Sequence, residues 1–191
     1  MTVAGKGGRP KKGEERYRKY WDYPGSPFKS ETAWWTWLRG SIRRIWSRSP
    51  VKIAYKQSRR YKAPVGRNGK EVWVSDCELC GKQCRDCEVD HIEGGTGFTD
   101  WTSFKQWQER ILLVSFDDIR ELCPECHSIV SHAQRTGLSF EEARAEKRAI
   151  ELQKTKKDVQ FLESVGVVPG KNATIRRKQL VEYFMKESGN G

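Results

Sequence analysis

The stretch Cys77-Glu78-Leu79-Cys80-Gly81, followed by Val89-Asp90-His91-Ile92 and then by Asp118-Ile119-Arg120-Glu121-Leu122-Cys123-Pro124-Glu125-Cys126-His127, decides how this chain is read. All six cysteines and all three histidines fall between Cys77 and His132, a concentration that ordinary core packing does not produce. Cys77 and Cys80 form one C-x-x-C pair, and Cys123 and Cys126 form another after 42 intervening residues. Zinc takes four soft or borderline ligands in a tetrahedron, and each tight turn with two thiolates supplies half of one. Cys77, Cys80, Cys123 and Cys126 are therefore the expected ligands of a structural zinc ion. Cys84 and Cys87 share the spacing and are the alternative first pair; failing that, they are ordinary thiols. Cys77 and Cys80 are favoured because Gly81 lets the chain turn out of the knuckle, and because Cys87 falls in what reads as a strand. Disulfides are the rival reading of the whole set. Interleaved histidines, and a start at Met1-Thr2-Val3-Ala4-Gly5-Lys6 without the apolar run of a signal peptide, point instead to a reducing compartment.

Over residues 73 to 135 the pattern resembles the HNH (ββα-metal) endonuclease family, in the subtype with a four-cysteine zinc site. The family's elements are a C-x-x-C, an Asp-His on a strand, and an Asn-led segment running into C-x-x-C-His. The resemblance implies that His91 is the general base that deprotonates the attacking water. It implies that Asp90 and His127 hold a catalytic divalent cation, magnesium or manganese. The chemistry agrees: a cation on the phosphodiester oxygens offsets the charge that repels a nucleophile, and an imidazole accepts a proton near neutrality. Asp118 stands where the family has the Asn that orients the loop bearing the base. A carboxylate accepts the same hydrogen bonds but donates none. Asp90 and His91 point to opposite faces if their segment is a strand, which the family resolves with a loop after it. His132, five positions after His127, is a second-choice ligand, with a phosphate contact or a surface role as the other readings.

The chain has 191 residues, 36% of them hydrophobic, and a formal charge of +11; its mean hydropathy is −0.80. A small core, helped by metal cross-linking, is expected. No apolar run approaches bilayer length, so the chain reads as soluble and cytoplasmic, with no membrane partner. Residues 1–70 carry 19 Lys and Arg against 4 Asp and Glu, whereas residues 71–191 carry 17 against 21. The positive excess thus belongs to the first third and calls for a polyanion partner, DNA being the expected one.

Residues 1–20, with Gly7-Gly8-Arg9-Pro10-Lys11-Lys12-Gly13 at their centre, read as a flexible basic arm. Gly-Arg-Pro looks like the middle of an AT-hook, but Gly7 stands where that motif has Arg, so phosphate contacts from Arg9, Lys11 and Lys12 are favoured. Residues 21–70 read as a basic aromatic extension that holds DNA. In it, Ser30 caps a helix to Ser47 whose apolar stripe is Trp34, Trp37, Leu38, Ile42, Ile45 and Trp46. Arg39, Arg43 and Arg44 beside the stripe, and Arg59 and Arg60 further on, are candidate phosphate contacts. Pro50 is expected to stop that helix and residues 51–62 to form a strand. Asn68-Gly69 signals a hairpin, with Glu71 to Val74 as the return strand.

Residues 71–136 read as the nuclease core, interrupted by a helix over 101–113 that Asp100 caps, with a second strand over 118–122 and a helix opened by Pro124. The loop Gly94-Gly95-Thr96-Gly97 reads as a flexible turn. Residues 137–191 read as helical: Ser139-Phe140-Glu141-Glu142 is a capping box for a long helix ending at Gly166, and Asn172 caps a last helix with Arg176-Arg177-Lys178 at its start. That region is where a protein partner or further DNA contact is expected. The predicted fold class is α+β, a small zinc-stapled ββα core with a helical basic N-terminal extension and C-terminal helices. The expected function is a metal-dependent DNA endonuclease of a bacterium or its virus. Its rivals are a non-catalytic zinc-containing DNA-binding protein and a structure-selective or RNA-directed nuclease.

Overall fold

The computed structural model describes residues 20–23, 25–94 and 97–189. Arg9, Lys11 and Lys12 of the expected arm, and Gly95-Thr96 of the glycine-rich turn, lie outside the described residues. Within them the chain is α+β, with seven α-helices and five short strands in small antiparallel sheets. No described helix is long and apolar enough to cross a membrane.

Helix α1 (Glu31–Ser47) starts where the sequence places it, because the Ser30 hydroxyl accepts the Ala33 N–H that the helix leaves unsatisfied. Its buried face differs from the expected stripe: Trp34, Trp35 and Ile42 are buried, while Trp37 (51% exposed) and Ile45 (59%) face solvent. The reason lies 60 residues on. Trp35 meets Phe98 and Trp101 edge to face, and Trp34 also packs on Trp101, so the covered face is set by a later segment. That segment is α3 (Trp101–Leu112), with Asp100 as its N-cap; Phe104 and Trp107 close the aromatic cluster.

Residues 51–62 are not a strand. Pro50 opens α2 (Pro50–Arg59) at the first helical position, where its missing N–H costs nothing. Val51 and Tyr55, four apart, share a face that packs on Val89 and Ile119. Only Tyr61–Ala63 forms strand β1, paired antiparallel with β2 (Val72–Asp76) across a turn in which Asn68 and Gly69 both have positive φ. Strand β3 (Gln83–Cys84) adds to the other edge of β2.

A separate antiparallel ribbon joins β4 (Glu88–His91) to β5 (Ile119–Leu122), with α3 inserted between the two strands. Helix α4 (Pro124–Thr136) follows at once, its first turn capped by the Cys123 sulfur accepting from Cys126 N–H at 3.4 Å. The ribbon is covered on both faces. Val89 and Ile119 face α2, and Leu122 joins Cys126 and Val130 of α4.

Ser139 and Glu142 make the expected reciprocal cap of α5 (Phe140–Lys154). The helix does not run on to Gly166. It breaks at Thr155 to Lys157, where Lys156 has φ 56°, and restarts as α6 (Asp158–Ser164), which Gly166 at φ 76° ends. The break folds Phe161 and Leu162 back onto Leu180 and Phe184 of α7 (Ala173–Gly189), which explains apolar spacing too irregular for one continuous stripe. Asn172 accepts from Ile175 N–H at the start of α7, as its sequence position implies. Arg176 is drawn into this packing, donating to Asp158 at 2.6 Å and to the Gly170 carbonyl, whereas Arg177 stays exposed and donates to Gln153. The neighbouring guanidinium holds the buried Asp158 carboxyl below the usual range. Arg176→Ala leaves that carboxylate buried without its partner, so urea unfolding should show a loss of about 2–3 kcal/mol. An unchanged midpoint would mean that the pair is idle.

Candidate functional site

Two groups of side chains meet where the ribbon joins α4. The first is Cys77, Cys80, Cys123 and Cys126, whose sulfurs all lie within 4.8 Å of one another. Cys80 Sγ and Cys123 Sγ are 3.9 Å apart, close to the ~3.8 Å edge of a tetrahedron with ~2.3 Å zinc–sulfur bonds. The turn after Cys77 is tight, with Gly81 N–H donating to the Cys77 carbonyl and Gly81 at φ 68°. Burial raises the Cys77 thiol, but backbone N–H groups of Cys123, Cys80 and Leu79 aimed at its sulfur outweigh that and bring it down to about 7. Such amide-to-sulfur contacts favour a thiolate, the form a metal needs. Burial, then the adjacent thiols, pushes Cys126 the other way. The four cysteines can hold a metal such as zinc.

Cys84 and Cys87 do not contribute to that set. They are bonded to each other as a disulfide, which corrects the reading of them as thiols or alternative ligands. Cys87 is fully buried against the four-cysteine cluster, with Cys84 packed beside it. Residues Cys84 and Cys87 flank the tight passage from β3 to β4, which brings the two sulfurs together.

The second group is built on one face of the ribbon. Side chains alternate along a strand, and Asp90 pairs in register with Arg120, so Glu88, Asp90 and Arg120 share the face under α4. His127, in the first turn of α4, reaches down to it: its Nε2 is 3.5 Å from Asp90 Oδ1 and its Nδ1 is 2.9 Å from Glu88 Oε2. In the neutral ring, the carboxylate of Glu88 can only accept, so Nδ1 carries the hydrogen and Nε2 presents its lone pair towards Asp90. Asp90 Oδ2 is buried without a hydrogen-bond partner, with Arg120 Nη2 3.5 Å away. Burial pushes the Asp90 carboxyl up, against the pull of His127, Arg120 and His91. The imidazole thus faces Asp90 Oδ1, while the unpartnered Oδ2 is turned to Arg120, and Glu88 fixes the ring through Nδ1. Compared with known proteins, the chain finds no counterpart. No family model, no curated protein and no solved structure matches it.

His91 lies on the opposite face of the ribbon, in register with Ile119, as the last residue of β4, and a loop follows from Ile92. Its ring is 9% exposed and packs at 4.2 Å on Trp46 of α1. His91 Nε2 is 3.0 Å from the Ile111 carbonyl. A carbonyl only accepts, so Nε2 carries the hydrogen and Nδ1 is the free acceptor. Burial lowers the ring's affinity for a proton, against the opposing pull of the Ile111 carbonyl and Asp90. Lys52, whose own ammonium is weakened by burial and then by Lys56, adds to that lowering.

Asp118 uses its carboxylate locally, accepting from Ser115 N–H at 2.7 Å and from Ser115 Oγ at 2.8 Å. Its backbone carbonyl accepts from Ile92 N–H at 2.9 Å, so the residue after His91 is tied to Asp118 through the main chain. His132 points to α5, where its Nε2 is 2.7 Å from Glu146, and Arg135 contacts its Nδ1. Arg43 and Arg44 are exposed on α1, and Arg39 donates to the Phe98 carbonyl at 2.6 Å. Arg59 turns towards Glu78 at 3.7 Å. Arg59 and Arg60 both bear on Glu121, a fully buried carboxyl that burial pushes up and Ser75, Lys56 and these arginines pull down.

Sequence reading missed Glu88, Arg120, Trp46 and Lys52. Glu88 alone had a usable signal: two residues before Asp90, it must share that residue's face of a strand.

Proposed function

We propose that the chain is a metal-dependent DNA endonuclease, with Asp90 and His127 holding one divalent cation, magnesium or manganese, and Cys77, Cys80, Cys123 and Cys126 holding a structural zinc. The observation that carries this reading is the approach of His127 Nε2 to Asp90 beside an unsatisfied carboxylate oxygen, in the turn that follows the thiol cluster. A cation held by Asp90 and His127 would supply charge stabilisation to a phosphodiester under attack. Glu88 orients the imidazole through Nδ1, and Arg120 offsets the charge of Asp90. His91 supplies the base: its hydrogen is committed to the Ile111 carbonyl, so Nδ1 takes the proton from water. Asp118 positions the chain beyond His91 by its main-chain contact with Ile92. The basic N-terminal extension supplies the polyanion affinity, with Arg43 and Arg44 presented to solvent.

A second reading, a non-catalytic DNA-binding protein pinned by zinc, is favoured by the position of His91 under Trp46, across the ribbon from Asp90 and His127. One variant separates the two. His91→Ala should bind duplex DNA as the parent does but nick supercoiled plasmid in magnesium about 100-fold to 1,000-fold more slowly. Nicking at the parent rate would remove His91 from the chemistry. The pH profile is a further check. A base is active when unprotonated, and burial holds His91 below its ordinary 6.5, so activity should be full at neutral pH and fall only as acid passes below 6.5.

A further inference from the structure

A concave groove of about 820 Å³ runs between α1, α3 and α4, lined by Arg39, Arg43 and Arg135 together with Ser131, Gln134 and Trp107. None of the described residues lining it is acidic. By contrast, a second cavity against α3 carries Glu93, Glu109, Asp117 and Asp118, with Arg110 as its one basic residue among those described. Arg39 and Arg43 are one turn apart on α1 and address the groove from the same helix face. Arg39 is held in place by the Phe98 carbonyl and the Thr36 hydroxyl, so little side-chain freedom remains to be lost on binding an anion. Arg43 is exposed, and among the described residues no hydrogen bond or ion pair occupies it.

The groove is joined to the Asp90–His127 pair by α4 itself. His127, Ser131, Gln134 and Arg135 are spaced by four, three and one residues, which places them along one side of the helix. With a rise of about 1.5 Å per residue, Gln134 lies about 10 Å along α4 from His127. Hydroxyl and amide groups on α4 thus line one wall of the trough and guanidinium groups on α1 another, and the α4 wall is the same helix that carries the proposed cation ligand His127.

We propose that this trough seats the sugar–phosphate backbone of the DNA strand being cut, with Arg43 and Arg135 each neutralising one phosphate beyond the scissile one. The inference rests on the endonuclease reading, and binding without cleavage tests it separately. Fluorescence anisotropy of the full chain on a short DNA duplex, with no magnesium or manganese added and from 50 to 200 mM potassium chloride, reads the number of phosphates engaged. Each contact removed by Arg43→Gln or Arg135→Gln should lower the log–log salt slope by about 0.9 and the affinity at about 0.1 M salt by about eightfold. Arg144→Gln on α5 removes the same charge from an arginine paired with Glu141 and should leave both values unchanged. Equal losses in Arg144→Gln, or unchanged slopes in the two groove variants, would overturn the proposal, as would tighter binding of an RNA duplex of the same sequence. Parent protein that binds with these dependences but never nicks DNA keeps the trough and removes the hydrolytic reading.

Discussion

With the four thiols seating a structural zinc as proposed, Cys126→Ser should leave the purified protein without that ion and unfold the ribbon and the start of α4 with it. The sulfur of Cys126 is buried in the same small cluster as Cys77, Leu122, Cys123 and Val130, so the metal and the core share one set of atoms. Structural zinc sites release about 10–16 kcal/mol of apparent binding free energy, which is as large as the whole stability of a typical domain. Losing one of four thiolates removes much of that, and the oxygen that replaces it is a poorer partner for zinc. Metal content by atomic absorption and a thermal melt read the outcome together. Cys84→Ser with Cys87→Ser is the matching control, because these two sulfurs bind each other outside the four-cysteine set. Zinc lost from that double variant and retained in Cys77→Ser with Cys80→Ser would reverse the ligand assignment.

Asp90→Ala and His127→Ala should each lower magnesium-dependent nicking of supercoiled plasmid by about 1,000-fold or more while zinc content stays at the parent value. That factor corresponds to about 4 kcal/mol of transition-state stabilisation. The two residues approach within 3.5 Å but come from different elements, the end of β4 and the first turn of α4. A single substitution therefore removes one of the two proposed cation ligands without touching the thiols. Glu88→Gln should lose less, about 10-fold to 100-fold, because it orients the His127 ring and lies outside the donor pair. The informative failure is a full rate in both alanine variants, which would leave this cluster a structural ion pair.

What the sequence made legible is what short-range chemistry controls. Ser30, Asp100, Ser139 and Asn172 each announce a helix start because the capping atom sits within three residues of the N–H it accepts from. The thiol cluster was legible for a related reason: two tight turns need only be brought together once. The helix at Pro50–Arg59 was obscured because Val51, Ile53 and Tyr55 also satisfy an alternating pattern, and only packing on Val89 and Ile119 selects the helix. The break after Lys154 was hidden because Lys156, not a glycine, adopts the left-handed turn. Trp46 over His91, and Trp35 against Phe98, depend on contacts between distant segments for which a single chain carries no local signal.

The aromatic cluster of α1 is completed only by residues about 60 positions downstream, from Phe98 to Trp107. At typical synthesis rates of about 5–20 residues per second, Trp35 waits several seconds on the ribosome before Phe98 and Trp101 are made, although Trp34 already has Tyr20 and Trp21 behind it. During that interval the face that Phe98 and Trp101 will cover is open to a chaperone or to another nascent chain, so the vulnerable moment of this protein's life comes before its chain is complete.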